Sequence, residues 1–78
     1  MKKKIAARLG KIKHVEVRHI GVGVIIFTTS SPMQIDGDMT PLAIQIENSL
    51  PDNWELEVGD RYTHYARPLR NMGKGIRF

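Results

Sequence analysis

The sequence predicts a small α+β domain, a largely antiparallel sheet with one helix packed on one face, in the order ββαββ and with basic arms at both termini. Three patterns carry this reading. Residues 15–27 hold two alternating apolar runs of opposite phase, Trp54, Leu56 and Val58 alternate with Glu55 and Glu57, and between them Leu42, Ile46 and Leu50 repeat at helical spacing. One helical stripe and one sheet face hide each other, which is the two-layer solution for a single core. With 78 residues the chain supports one core, divided here into a basic arm or frayed helix at 1–13, an α+β core at 14–66 and a basic arm at 67–78.

In chain order, Ile5, Leu9 and Ile12 stand at i, i+4 and i+7 among lysines and Arg8, so residues 2–13 can form a basic amphipathic helix, weakened by Gly10. Such a helix suits an anionic membrane surface or a partner groove; a disordered basic arm is the plainer reading. Val15 and Val17 alternate with Glu16 and Arg18, then Ile20, Val22, Val24 and Ile26 follow in the opposite phase. A bulge or tight turn near His19 and Ile20 accounts for the switch. The complementary face, Gly21, Gly23, Ile25 and Phe27, is too apolar to be simply solvated.

Thr28 to Ser31 closes the strand, and Asp36-Gly37 marks a turn in the loop that follows. Thr40-Pro41 reads as a helix start, because Thr caps free amides and Pro tolerates the first helical position, while Pro51 ends the helix. Gly59-Asp60 is expected as a two-residue hairpin turn. That register sets Glu55 opposite His64 and Glu57 opposite Tyr62, with Trp54 opposite Tyr65 and Leu56 opposite Thr63 on the other face. Glu55, Glu57, Tyr62 and His64 then belong to an open sheet face, and the carboxylate beside His64 is expected to raise its pKa. Residues 67–78 read as a mobile arm, with Ile76-Arg77-Phe78 able to add an edge strand.

Charge is sorted along the chain. In residues 1–18 seven bases face Glu16 alone, a net +6; residues 19–60 hold seven acids and no Lys or Arg; residues 61–78 hold five bases and no acid. If the two ends converge, as domain termini often do, eleven net positive charges gather and attract phosphate or acidic protein surfaces. The plainer reading is that basic ends and acidic middle neutralise each other, or that a charged tail keeps the protein soluble.

Several chemistries find no support in the residues. There is no cysteine, hence no disulfide or thiolate site. No apolar run approaches the ~20 residues of a membrane span, and the basic start lacks a signal-peptide core, so a cytoplasmic location is the expectation. His14, His19 and His64 fit no metal-ligand spacing. Asp36-Gly37-Asp38 lacks the rest of a calcium loop, and Gly73-Lys74-Gly75 lacks the context of a phosphate loop. His64 with Tyr62, Arg61 and Arg67 resembles in kind the residue sets of small ribonucleases.

From Thr28 to about Tyr65 the segments TTSSP, LPDNWELEV and RY around a short helix are similar to DNA-damage-inducible regulators related to DinI. That family carries an acidic C-terminal helix that mimics DNA, whereas residues 61–78 here are basic, so its function is not carried over. In size, strand-helix-strand plan and sorted charge the chain is also similar to small phage inhibitors that stop a host enzyme by occupying it, anti-CRISPR proteins among them.

The expectation from sequence is therefore a non-enzymatic binding protein, without cofactor or metal, that occupies a protein or nucleoprotein partner as a regulator or inhibitor does. Arg61, Arg67, Arg70, Lys74 and Arg77, with Lys2, Lys3, Lys4, Arg8, Lys11 and Lys13, meet acidic side chains or replace phosphate contacts. Tyr62, His64, Tyr65 and Trp54 supply further contacts, since aromatic residues and Arg dominate hot spots. Direct binding of DNA or RNA by the basic termini is the first alternative, and a small ribonuclease toxin using His64 the second.

Overall fold

The structure, a computed structural model, describes residues 2–69. Its elements are α1 (Lys2–Gly10), β1 (Val15–Gly21), β2 (Val24–Thr29), β3 (Gln34–Ile35), β4 (Asp38–Met39), α2 (Pro41–Asn48), β5 (Trp54–Val58) and β6 (Thr63–Pro68). The ββαββ plan is present, with α1 ahead of it and the small β3–β4 hairpin, turned at Asp36-Gly37, set between β2 and α2. Four antiparallel strands form one sheet in the order β1-β2-β6-β5. Both helices contribute to the same buried cluster as the inward residues of the sheet, so they cover one face and leave the other open.

The apolar alternation explains which face is covered. Val15 and Val17 point inward from β1, Ile25 and Phe27 from β2, Ala66 from β6 and Trp54, Leu56 and Val58 from β5. Between Val17 and His19 the register with β2 slips by one residue, leaving Arg18 as the extra member of a β-bulge. The slip inverts the alternation, so that Ile20 lies opposite Ile25, and it accounts for the phase switch in the sequence. The chain reverses four residues later, at Val22-Gly23, where Gly23 takes a φ of 71° that a side chain disfavours and Val22 is 97% exposed.

The helices are made by local chemistry and held by packing. Thr40 accepts the amide of Ala43 at 3.3 Å and its hydroxyl donates to the Pro32 carbonyl at 2.9 Å, tying the start of α2 to the chain leaving β2. Ala43, Ile46 and Leu50 are buried beneath it. Residues 2–10, expected as an arm or a frayed helix, form α1, and its stripe Ile5, Leu9 and Ile12 lies in the core together with Ala6. A nine-residue helix is too short to persist alone, so this burial is what maintains it.

The β5–β6 hairpin differs from the expected register. Four residues, 59–62, separate the strands instead of two, because the Asp60 carboxylate accepts the amides of Tyr62 at 2.9 Å and Thr63 at 2.7 Å while the Thr63 carbonyl accepts Gly59 and Asp60. Gly59 cannot be replaced without strain, since a Cβ there would stand 2.5 Å from that carbonyl oxygen. Glu57 consequently pairs with Tyr65, Glu55 with Arg67 and Val58 with His64. The shift is three residues, an odd number, so His64 turns inward and Tyr65 and Arg67 turn out.

Lys2 donates to the Gly21 carbonyl at 2.7 Å beside the β1–β2 turn, and Leu69 follows β6 to the same end of the sheet, its amide donating to Asn53. The two described ends of the chain therefore emerge at one end of the sheet. Arg70, Lys74, Arg77 and the edge strand expected at 76–78 lie outside the described residues.

Burying one Leu or Ile side chain contributes about 1.5–3 kcal/mol against a total stability of about 5–15 kcal/mol for a domain. Leu9→Ala is expected to lower unfolding free energy by about 2–5 kcal/mol, and the exposed neighbour Ala7→Ser by less than about 0.5 kcal/mol, measured by urea titration followed by circular dichroism. Equal effects of the two would show that α1 is not part of the cooperative core.

Candidate functional site

Because Ile5, Ala6 and Leu9 point into the core, α1 must present its other side to solvent. On that side stand Lys3, Lys4, Ala7 and Arg8, followed by exposed Lys11 and Lys13 in the turn to β1. None of these five cations has a carboxylate within ion-pair distance among the described residues. Lys2 is half-buried and committed to Gly21, so it anchors the ridge rather than extending it.

Residues 2–21, on α1 and edge strand β1, carry seven bases against Glu16, a net +6. Residues 34–69, on the β3–β4 hairpin, α2, β5 and β6, carry seven acids against Arg61 and Arg67, a net −5. The sheet order puts these groups at opposite edges, with uncharged β2 in the basic half's interior side. Such separation leaves a strong field on the α1 side, which neighbouring acids do not cancel.

The remaining expected contact residues do not converge on the ridge. Arg67 lies on the open face between the two carboxylates of β5, its Nε 3.2 Å from Glu55 and its Nη2 bonded to Glu57, so its charge is already matched. Tyr65 is half-buried on that face, opposite Ile26 and Glu57. Arg61 and Tyr62 are exposed in the β5–β6 loop. Trp54, expected as an anchor, is a core residue with 8% exposure.

His64 is fully buried, against the expectation of an open-face position. Its ring stands 5.7 Å from that of Phe27. Thr29 donates its hydroxyl to the Ser31 carbonyl at 2.8 Å, and its oxygen is left to accept from His64 Nε2 at 3.2 Å. Nδ1 is buried and has no partner among the described residues. Burial drives the His64 pKa down, with Asp60 opposing only in part, which reverses the rise expected from a cross-strand carboxylate. The general base required by a small-ribonuclease reading therefore has no access to solvent.

A second feature was not anticipated. Where β1 and β2 begin and end beside each other, an open cleft of about 400 Å³ is lined by His14, Glu16, Arg18, Thr28, Thr29 and Ser30. Arg18 donates through Nε to the Thr28 hydroxyl at 3.0 Å and pairs through Nη2 with Glu16 at 3.3 Å. His14 Nδ1 is 2.9 Å from the Ser30 hydroxyl, and His14 holds a left-handed φ of 74°. The signal in the sequence is His14, Glu16 and Arg18 at strand spacing, with Glu16 the one acid in the first 33 residues. It needs the β1–β2 pairing to acquire its hydroxyls, which is why spacing alone did not reveal it.

Among the described residues no group of three His, Asp or Glu side chains is placed to hold a metal ion, and no helix is long and apolar enough to cross a membrane. Fold and site define a small two-layer α+β domain with an open sheet face and one uncompensated basic side. No protein-family model, curated protein or solved structure matches the chain.

His64 gives a pH dependence of folding. Its folded pKa is depressed below the ordinary 6.5, so the unfolded chain takes up a proton that the folded chain refuses. Stability is full above that value and falls as pH drops below it, by at most about 1.4 kcal/mol per pH unit. Chemical denaturation at pH 7.5, 6.5 and 5.5 is expected to show the decline, and His64→Leu to flatten it; an unchanged slope would assign the decline elsewhere. Asp60, depressed by its two amide hydrogen bonds, acts in a lower window, its contribution lost as pH falls below 3.8.

Proposed function

We propose that this chain is a small non-enzymatic binding protein that acts by occupying an anionic surface of a protein or nucleoprotein partner, with the basic ridge of α1 as its contact. The single observation that supports this most is the set of five exposed cations, Lys3, Lys4, Arg8, Lys11 and Lys13, without matching carboxylates and at the edge opposite the acids.

Local energetics add to it. The first turn of a helix favours acids, because unpaired amides make that end positive, yet α1 begins Lys2-Lys3-Lys4 with no acid in its first turn. Lys4 and Arg8 are also like charges at i and i+4, a further cost of about 0.2–0.5 kcal/mol. An arrangement that opposes helix stability fits a surface shaped by what it binds. Occupancy needs only a complementary surface, and stoichiometric regulators and inhibitors work in this way.

The opposition of stability and binding is the test. Lys3→Glu/Lys4→Glu is expected to raise the melting temperature, each substitution relieving about 0.3–1 kcal/mol at the helix end. The same double variant is expected to lose retention on immobilised heparin and capture of its partner from lysate, while Arg61→Glu changes neither by much. Partner capture that survives nuclease treatment indicates a protein surface, and its loss a nucleic-acid component. Undiminished retention by the double variant would overturn the reading.

A further inference from the structure

We propose that the cleft between β1 and β2 is a phosphate subsite, and that the anionic partner presents the phosphodiester backbone of a nucleic acid there. This rests on the binding function proposed for α1 and specifies the chemistry of its partner.

The donors converge from two strands and are not exhausted by their internal bonds. Arg18 uses one Nε and one Nη hydrogen on Thr28 and Glu16, which leaves three guanidinium hydrogens. The Thr28 oxygen accepts from Arg18, so its own hydrogen remains to be donated. The His14–Ser30 pair holds one hydrogen between its two partners and leaves a second donor, on Ser30 or on His14 Nε2 according to the tautomer. The guanidinium, the Thr28 hydroxyl and the one free donor of the His14–Ser30 pair, around one open concavity, can serve several oxygens of a tetrahedral anion at once. Glu16 pairs with the guanidinium through Nη2, leaving both Nη1 hydrogens free, and so acts as a positioning residue, at the cost of one negative charge beside the anion.

Placement links the cleft to the ridge. The Ile12 carbonyl accepts Val15 and the His14 carbonyl accepts Ser30 at 2.9 Å, so the turn that carries exposed Lys11 and Lys13 leads directly into the cleft. Glu16, Arg18 and Thr28 alternate with the inward Val15, Val17 and Phe27, so the cleft opens on the sheet face opposite α1, and the turn with Lys11 and Lys13 passes from the ridge to its rim at His14. A polymer with one charge per repeat can meet Lys11 and Lys13 and the cleft beside them at successive phosphates; backbone contact of this kind positions a nucleic acid without reading its sequence. His14 keeps a backbone conformation suited to glycine at the rim of the cleft, and strain of this type collects at ligand sites.

The full chain is titrated into fluorescein-labelled oligo(dT) of twelve nucleotides and into a twelve-base-pair duplex, with polyglutamate as a competitor of equal charge. We expect binding to at least one probe, poor competition by polyglutamate, and a loss of about tenfold for Arg18→Gln and for His14→Gly, the effect of removing a charge-assisted contact. His14→Gly suits the φ of 74° and should keep or raise the melting temperature, so its loss of affinity is not a loss of fold. Glu16→Gln is expected to leave affinity the same or higher. If Lys4→Glu/Arg8→Glu abolishes binding while both cleft variants bind as before, the ridge stands and the phosphate subsite is overturned. Equal competition by polyglutamate, or partner capture that persists after nuclease with neither probe bound, also overturns it and leaves the ridge reading in place.

Discussion

The apolar stripe of α1 is the constraint on which the rest of this molecule depends. A sheet with both helices on one face has a single core, and α1, packed against β1, contributes Ile5, Ala6 and Leu9 to it, with Ile12 following. Those side chains fix the rotation of the helix about its axis. Once they are inside, Lys3, Lys4 and Arg8 have one direction left. Packing therefore orients a charged surface at no extra cost, and a short helix that could not persist in water becomes a rigid carrier of cations.

The acids answer to a different part of the same plan. α2 and β5 form the opposite edge, and there Glu55 and Glu57 hold Arg67 between them while Glu47 and Asp52 remain exposed. The field is thus bipolar along the order of the strands. This differs from the simple picture of basic ends around a neutralising middle, because in the fold the acids of the middle segment lie toward the α2 and β5 margin, while its uncharged β2 pairs with β1. At 78 residues there is little stability in reserve, so lysines that oppose the helix dipole are a considerable fraction of what the fold can tolerate.

Much of the architecture was legible from residues that act locally. Thr40 caps α2, the helix ends before Pro51, Asp36-Gly37 turns the small hairpin, and the inverted alternation after Val17 marked an irregularity in β1. The stripe of α1 was legible as a pattern, but its destination was not, since periodicity says which side is apolar and not whether a sheet lies beneath it. The β5–β6 register was misread for a different reason. Gly59-Asp60 looks like a complete turn, while Asp60 in fact uses its carboxylate to gather the next two amides and lengthen the loop. His64 and Ala66 alternate with Thr63, Tyr65 and Arg67, so the sequence is equally compatible with the register in which His64 faces inward. A buried imidazole held by a single threonine is a tertiary solution that no spacing announces. The candidate site divided likewise: its ridge was readable as a run of bases, its cleft only after two strands were paired.

The extra residue in β1 does two jobs with one displacement. By slipping the strand one notch it returns Ile20 to the inner side after Val17, and it sets Arg18 where the guanidinium reaches across to Thr28 and back to Glu16. The same kink roughens the outer margin of β1, so that margin offers a poor template for an incoming strand. Straightening it would expose a flat ladder of free amides and carbonyls on the cationic flank.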